Sequence, residues 1–414
     1  MNIAYTIWIE WLDDPVLRNQ VIKVLKALKK ISPDDEYFLF VFQPIYTIAI
    51  HHEKFHRIKE ELKESNLKLI IIPCLVSPIP NWFNAKWYLL PFIFLQSFPT
   101  LLSMIIIKNI DILHCRSYPI MLAAVAIDKI IKNLKIVFDP RSPFPEENII
   151  AGQWTKSSVS YRVWKILEKE FLESSNITVT ITNTYVKHFR KISKKARFIT
   201  IPNNVDVEKF SYNQDSRNIL RSKMHVKDNE IIFAYVGSLG VIWNNPSIYA
   251  EFLIYMRKLD IDHRFLFITP NVSKLRETFK EYGIKTHEYF AVSAEPFEVP
   301  TYLSIADIGL NFMSTQDIRM SIKTCEYLAM GLPIIVNSNV MGAKEIVEQY
   351  QVGLVLKDLN NIDLKEIEKV ISKKENFALR CREVACEKFS TDKVAKQYAK
   401  IYKSLSVESN IHTF

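Results

Sequence analysis

The stretch RMSIKTCEYLAMGLPIIV, residues Arg319–Val336, sets the reading of the whole chain. A basic, hydroxyl-bearing turn holding Arg319, Ser321 and Lys323 opens a short helix that carries Glu326, and Gly331 stops it. An apolar strand, Leu332–Val336, follows at once, so helix and strand alternate here within a few residues. The first backbone N–H groups of a helix lack intrahelical partners, and the helix dipole puts about half a positive charge there, which suits an anion. Lys323 adds a full charge, and Glu326, one turn on, can hydrogen-bond sugar hydroxyls beside a bound phosphate. A nucleotide-sugar diphosphate would satisfy these groups together; the plain alternative is an amphipathic helix with an ordinary glycine stop.

The same alternation extends outward in both directions. Strand candidates are Ile3–Ile9, Tyr37–Phe42, Lys68–Ile72, Ile112–His114, Ile136–Phe138, Ile177–Ile181 and Phe198–Thr200, with helices between them at Pro15–Lys30, Phe55–Ser65, Ile120–Lys132, Ser157–Ser174 and Asn183–Ile192. After the turn-rich segment Ile201-Pro-Asn-Asn-Val-Asp206 the pattern restarts with Ile231–Val236, Arg264–Ile268, Lys285–Tyr289, Ile308–Asn311, Leu332–Val336 and Gly353–Leu356. Its helices fall at Pro246–Leu259, Val272–Tyr282, Pro300–Ile305, Ile322–Met330 and Ala343–Gln349, then Asp363–Ile371 and a long Phe377–Ser404. The fold class expected is α/β: two Rossmann-like, doubly wound parallel-sheet domains facing across a cleft. The boundaries expected are residues 1–200, 201–390 and a final helix, 391–414, returning to the first domain. A chain of 414 residues exceeds one typical core, which agrees with two domains.

Composition narrows the classes of function. The net charge of +9 suits anionic partners such as nucleotides or phospholipid headgroups, and no aromatic–basic motif supports nucleic-acid binding. Five scattered cysteines show no CxxC or Cys/His spacing, which argues against a disulfide framework and a metal site. Met1–Trp11 has no basic leader region and reads as a first strand, so a cytoplasmic protein is expected. Trp87–Ile107 carries no charge between Lys86 and Lys108, and Pro91 and Pro99 interrupt it. A buried or interfacial helix is expected there rather than a spanning one; with Trp82 it could lie peripherally on the inner face of an anionic membrane.

In such sheets ligands sit beyond the carboxyl ends of the strands, so the loops there are the candidate sites. The loop after Ile231–Val236 reads Gly237-Ser-Leu-Gly240 with Trp243 and Asn244 behind, either a backbone approach to phosphate or a plain turn. Asp139-Pro-Arg-Ser-Pro-Phe-Pro-Glu-Glu147 follows an apolar strand; Asp139 or Arg141 could orient a sugar, and Glu146 or Glu147 could bind its hydroxyls. His114 and Arg116 end another strand, where a structural histidine competes with a catalytic one, and Arg18, Asn19 and Gln20 lie in the first loop region. Asp260-Ile-Asp262 precedes its strand, at the wrong end of the sheet for a metal-binding pair.

The second half resembles the donor domain of the retaining glycosyltransferases of family 4, the group 1 glycosyl transferases of GT-B fold. The resemblance is carried by Ile201-Pro-Asn-Asn-Val-Asp-Val-Glu-Lys-Phe210, Tyr235-Val-Gly-Ser-Leu, Ala306-Asp-Ile-Gly-Leu310 and Lys323-Thr-Cys-Glu-Tyr-Leu-Ala-Met-Gly-Leu-Pro-Ile-Ile335. Gly342-Ala-Lys-Glu-Ile-Val, Gly353-Leu-Val-Leu and the tail Phe389-Ser-Thr…Tyr398…Ile401-Tyr402 continue it; His114-Cys-Arg-Ser and Asp139-Pro-Arg141 are looser echoes. The resemblance implies retaining transfer of a hexosyl group from a nucleoside-diphosphate sugar without a metal or other cofactor. A glycan or lipid-linked glycan would be the acceptor, in cell-surface polysaccharide or lipopolysaccharide assembly. It places Lys323, Glu326, Asp139 and Arg141 in the chemistry. Gly237, Ser238, Val292, Arg319, Ser321, Lys323, Thr324 and Glu326 would then meet the donor, and Arg18, Asn19, Gln20, His114, Arg116, Glu146 and Glu147 the acceptor.

Two departures stand out. The family's first glutamate, eight residues before Glu326, is Ile318 here, so the ribose contact carries over to Glu326 while the sugar contact does not carry over. The Gly237–Asn245 loop has no Arg or Lys, leaving the diphosphate charge to Lys323 and Arg319. A non-catalytic nucleotide-sugar or glycan binder, or a 2-epimerase on the same fold, are the competing expectations.

Overall fold

Two separate sheets carry the chain, each wholly parallel. The computed structural model describes residues 1–75, 86–240, 244–359 and 361–411; Trp82 and Trp243 lie outside them. The first sheet has strands β1 (Asn2–Trp8), β2 (Glu36–Pro44), β3 (Lys68–Cys74), β4 (Ile112–Arg116), β5 (Lys135–Asp139), β6 (Ile177–Thr180) and β7 (Phe198–Thr200), in the order β3-β2-β1-β4-β5-β6-β7. The second has β8 (Ile231–Val236), β9 (His263–Ile268), β10 (Tyr289–Val292), β11 (Ile308–Asn311), β12 (Ile334–Asn337) and β13 (Gly353–Leu356), in the order β10-β9-β8-β11-β12-β13. Both are doubly wound, with the strand order reversing at β1/β4 and at β8/β11. Those reversals open the crevices in which α/β sheets hold ligands. Residues Met1–Ile201 with Val394–Phe414 form one compact unit and Pro202–Lys393 the other.

The inner strands, such as β2, β8 and β11, are runs of buried, mostly apolar residues, as expected where helices cover both faces of a parallel sheet. Gly331, at φ +75°, ends the helix Ile322–Ala329, and the amide of Leu332 donates to the Tyr327 carbonyl at 2.9 Å, a left-handed glycine cap.

Four expectations need correction. The strand at Lys285–Tyr289 is shifted to β10, because Thr286–Glu288 forms a tight turn capped by the Glu288 carboxylate on the Lys285 amide at 2.7 Å. The long helix Phe377–Ser404 is broken: Lys374–Val384 widens into a π-type turn at Ala385–Phe389, Ser390 is extended, and Thr391–Ile411 starts afresh. Ser390 leaves the helix to pair with Val205, and the Thr391 amide donates to the Val205 carbonyl at 3.2 Å. Pro15–Lys30 contains a similar wide turn at Arg18–Lys23. Finally, Phe144–Ile150 is a helix where a loop was expected, so Glu146 and Glu147 stand in its first turn.

The helix Thr391–Ile411 packs Tyr398 and Tyr402 on the inner face of β4 and β5. The Tyr402 hydroxyl lies 2.7 Å from His114 Nδ1, both fully buried. Tyr402→Phe leaves that nitrogen buried without a partner, and a loss of about 1–3 kcal/mol is expected, read as a lower denaturant midpoint at unchanged slope.

Candidate functional site

The second unit gathers its chemistry where β8 and β11 diverge. The helix Ile322–Ala329 begins there at Ser321, and no side chain caps it. The Ser321 hydroxyl instead accepts from Asn311 Nδ2 at 2.9 Å and lies 3.3 Å from Thr324 Oγ1. The Thr324 amide donates to the Ser321 carbonyl at 3.2 Å, and the Ile322 and Lys323 amides ahead of it can meet an incoming acceptor of hydrogen bonds. Asn203 fixes the approach to this turn, its amide donating to the Met320 carbonyl at 2.7 Å, while the Cys325 thiol donates to the Asn203 carbonyl at 3.3 Å. The segment Pro-Asn-Asn after Ile201 thus serves to seat the helix start.

Lys323 reaches from that first turn across the loop after β8. Its ammonium lies 4.1 Å from the ring centre of Tyr235, a cation–π contact, and close under Gly237. A Cβ on Gly237 would stand 3.2 Å from Lys323 Nζ, and its φ of +129° already demands glycine. No carboxylate lies within salt-bridge distance of Lys323 among the described residues. Burial pushes the ammonium down to about 7, with Glu326 opposing the shift. Burial likewise pushes the Glu326 carboxyl up to about 7, against Lys323 and Lys209. Both side chains keep part of their surface open. A cation so poorly compensated gains its counter-charge from a ligand anion.

The floor of the crevice is a tyrosine that the sequence reading missed. Tyr327 is fully buried; its hydroxyl accepts from the Val236 amide at 2.8 Å and donates to the Leu310 carbonyl at 3.2 Å, joining the ends of β8 and β11. Gly309 makes room for its ring. Tyr235 was missed for the same reason: aromatic runs in strands read as core, and only the sheet shows which ring underlies a cation.

Other expected donor residues are placed differently. Arg319 is folded back on Asp317, with Nε at 2.9 Å from Oδ1 and Nη2 at 2.7 Å from Oδ2, so its charge is neutralised locally. Asp317 is buried and in that pairing, so it does not stand in for the glutamate missing at Ile318. Thr324 is fully buried, with its hydroxyl turned to Asn311 and Ser321. Ser238 is exposed beside Gly237, and Val292 ends β10, partly buried.

In the first unit the residues expected to meet an acceptor divide into two groups. His114, Arg116, Gln20 and Asp139 are interior. Arg116 Nε grips both Glu10 oxygens at 3.0 and 2.8 Å, and Nη2 donates to Gln20 at 3.1 Å. Asp139 Oδ2 lies 3.5 Å from His114 Nε2, 3.3 Å from Arg141 Nη1 and 3.4 Å from the Tyr398 hydroxyl. Burial alone would raise the Asp139 carboxyl, but Arg141, His114 and Arg116 hold it well below the usual range, while burial depresses His114. These residues are held by protein partners and offer a ligand little surface; they position the ends of β4 and β5. Arg18 is likewise taken up, by Asp13 and Glu61 at 3.2 and 2.6 Å.

Arg141, Asn19, Glu146 and Glu147 keep open surface. Arg141 holds a left-handed φ of +57°, and Ile9 and Ser117, at +57° and +72°, do the same after β1 and β4. Three non-glycine residues in that region at three neighbouring strand ends mark a strained rim, the kind of backbone that functional loops retain. Glu146 Oε1 accepts from Lys165 at 2.9 Å and Tyr161 at 3.3 Å, and Ser142 donates to Glu147.

With this geometry in hand, the solved structures of similar shape are decisive for the fold. A glycosyltransferase from Rickettsia africae ESF-5 superimposes with a TM-score of 0.71 at 16% identity, over 98% of each chain. The fold is GT-B. HepE of Anabaena, in complex with UDP and glucose, gives 0.66 at 13% identity over 98% of this chain and 100% of that one. WaaG, a glycosyltransferase involved in lipopolysaccharide biosynthesis, gives 0.61 at 14% over 96% and 99%. Residues 307–382, which include Lys323 and Glu326, match the family described as Glucosyltransferase 3-like, C-terminal domain. No curated protein matches the chain in sequence. In GT-B terms, the crevice at β8/β11 belongs to the second of the two Rossmann-like units.

Proposed function

We propose that this GT-B protein transfers a hexosyl group, with retention and without a metal, from a nucleoside-diphosphate sugar to a hydroxyl of a saccharide acceptor. The observation that carries the reading is Lys323: a partly buried ammonium with no salt-bridged carboxylate among the described residues, beside the uncapped start of Ile322–Ala329, at a strand-order reversal. The family matched over 307–382 and the UDP bound to HepE support a nucleotide sugar as donor. In this reading the diphosphate lies on the Lys323 ammonium and the Ile322 and Lys323 amides, and Glu326 accepts hydrogen bonds from the ribose hydroxyls. The bond between the anomeric carbon and the phosphate oxygen breaks, and its electron pair stays on the phosphate. The acceptor oxygen bonds to that carbon on the same face and gives its proton to the departing phosphate. Lys323 and the helix amides stabilise the charge as it develops.

The acceptor belongs to a lipid-linked glycan in cell-surface polysaccharide or lipopolysaccharide assembly, on the cytoplasmic side; the basic charge and the likeness to WaaG, a glycosyltransferase involved in lipopolysaccharide biosynthesis, support this. Arg141, Glu146 and Glu147 are the acceptor-facing groups with open surface.

Calorimetric titration with UDP, GDP, CDP, ADP and dTDP in metal-free buffer tests the donor site, and one of them is expected to bind. The affinity carries a pH signature. A bound phosphate favours charged Lys323, so binding releases free energy only while that proton is held. The Lys323 share of the affinity is therefore level below about pH 7, the value of the free ammonium, and declines above it by up to tenfold per unit until the raised value in the complex is reached. Lys323→Ala should remove that decline. Binding by none of the five, or a decline that persists in Lys323→Ala, sinks the assignment.

A further inference from the structure

We propose that the helix Leu90–Ile107, with the turn Trp87–Leu89 that leads into it, is a surface that lies flat on an anionic lipid bilayer. The inference rests on this helix alone and does not depend on the donor site. Over its 21 residues no side chain is charged, and Lys86 and Lys108 stand at its two ends.

The helix is two-faced in an unusual way. Ile93, Ser97, Leu101 and Ile105, each four residues from the last, are buried against the body of the first unit. Most of the remaining surface is apolar as well: Trp87, Tyr88, Phe92, Leu95, Ile106 and Ile107 are exposed, Leu95 by 70%, with Ser103 the polar residue exposed among them. Tyr88, Phe92, Leu95 and Ile106 follow one outward stripe at helical spacing. A stripe of this length facing water is a standing cost unless something apolar covers it.

The polar side chains on the helix are arranged as an apolar medium requires. Ser97 donates to the Ile93 carbonyl at 2.7 Å, Thr100 to Gln96 at 3.2 Å and Ser103 to Pro99 at 2.8 Å. Gln96 Nε2 donates to the Phe92 carbonyl at 3.2 Å and its Oε1 accepts the Leu75 amide at 2.5 Å. Each hydroxyl thus returns its hydrogen bond to the helix, and Gln96 both donates to and accepts from backbone, which lowers the cost of placing these groups beside hydrocarbon.

Length alone would permit a span, since about 20 residues cross a bilayer. The attachments exclude it. Trp87 N donates to Ser160 Oγ at 3.3 Å at one end, and Asn2 Nδ2 donates to the Lys108 and Asn109 carbonyls at 3.0 Å at the other. A helix tied to the body at both ends and along one face cannot stand upright in lipid without being stripped from its own core. Charge selects lipid over a second copy of this chain. Lys86 and Lys108 at the ends would oppose their own counterparts across a symmetric contact, whereas anionic headgroups attract both. Trp87 and Tyr88, with Lys86 Nζ 6.0 Å from the Tyr88 ring, suit the headgroup level.

The full chain is to be sedimented with vesicles of phosphatidylcholine, with and without phosphatidylglycerol. The expected result is recovery with the anionic vesicles, reduced by salt, and release by alkaline carbonate. Leu95→Glu with Ile106→Glu, both exposed, should lower the partition coefficient about tenfold or more while melting temperature and nucleotide affinity stay unchanged. No recovery with anionic vesicles overturns the proposal, as does equal partition of the glutamate variant. Retention after carbonate overturns it in favour of a span. A concentration-dependent dimer that the variant abolishes, with no lipid binding, overturns it in favour of a protein interface.

Discussion

Lys323→Ala is expected to lower kcat/KM for sugar transfer by about thirty- to a thousandfold, roughly 2–4 kcal/mol of transition-state stabilisation. The magnitude follows from where the ammonium sits. It is partly withdrawn from water, rests on the Tyr235 ring and has no salt-bridged carboxylate among the described residues. The nearest alternative cation in sequence, Arg319, is neutralised by Asp317 and does not replace the lost charge. The loss should appear in both turnover and nucleoside-diphosphate affinity, because the diphosphate is bound before the leaving charge grows on it. Lys323→Arg keeps a charge but brings a larger group against Gly237 and Tyr235, and an intermediate rate is expected. Turnover by Lys323→Ala within a few-fold of the parent would remove Lys323 from the chemistry and leave the helix amides as the anion site.

Gly309→Ala should damage the second unit and its crevice together. A Cβ there would lie 2.6 and 2.7 Å from Cδ2 and Cγ of Tyr327, and that ring is fully buried with its hydroxyl tied to β8 and β11. The ring cannot yield without giving up both hydrogen bonds. A destabilisation of about 3 kcal/mol is expected, combining overpacking with stranded polar groups, and read from the denaturant midpoint. Because Tyr327 ties the strand ends that bound the crevice, nucleotide affinity should fall too. Tyr327→Leu is itself costly but removes the obstructing ring, so the double variant should be less damaged than the sum of the two. Strict additivity would show that the added methyl meets something other than Tyr327.

Much of the architecture was legible because it is written in local periodicity. Buried strands in a parallel sheet are apolar on both faces, and twelve of the thirteen strands coincide with a run of that kind read from the sequence. β10 was displaced because Lys285–Glu288 forms a capped turn, whose hydrogen bond to Glu288 no hydrophobic pattern announces. The long final helix was read straight through Ser390 because helical spacing continues on either side. The break is made by pairing with Val205, far away in sequence.

The site divides along the same line. Lys323 and Glu326 fall three residues apart on one helical turn after a hydroxyl-rich start, so their common face and their position by a helix N-terminus follow from sequence. Which charges stay available does not follow. Arg319 and Arg18 look as free as Lys323 until Asp317 and Glu61 are found against them. His114, Arg116 and Asp139 lie at strand ends, as expected for a site, yet Tyr398 and Tyr402, Glu10 and Gln20 draw them into the interior. Sequence by itself determined the two doubly wound sheets, the glycine-stopped helix and the side chains able to meet a diphosphate. Tertiary structure decided which of them remain uncompensated, since the sign of a charge is local whereas its neutralisation depends on partners that only folding brings within a few ångströms.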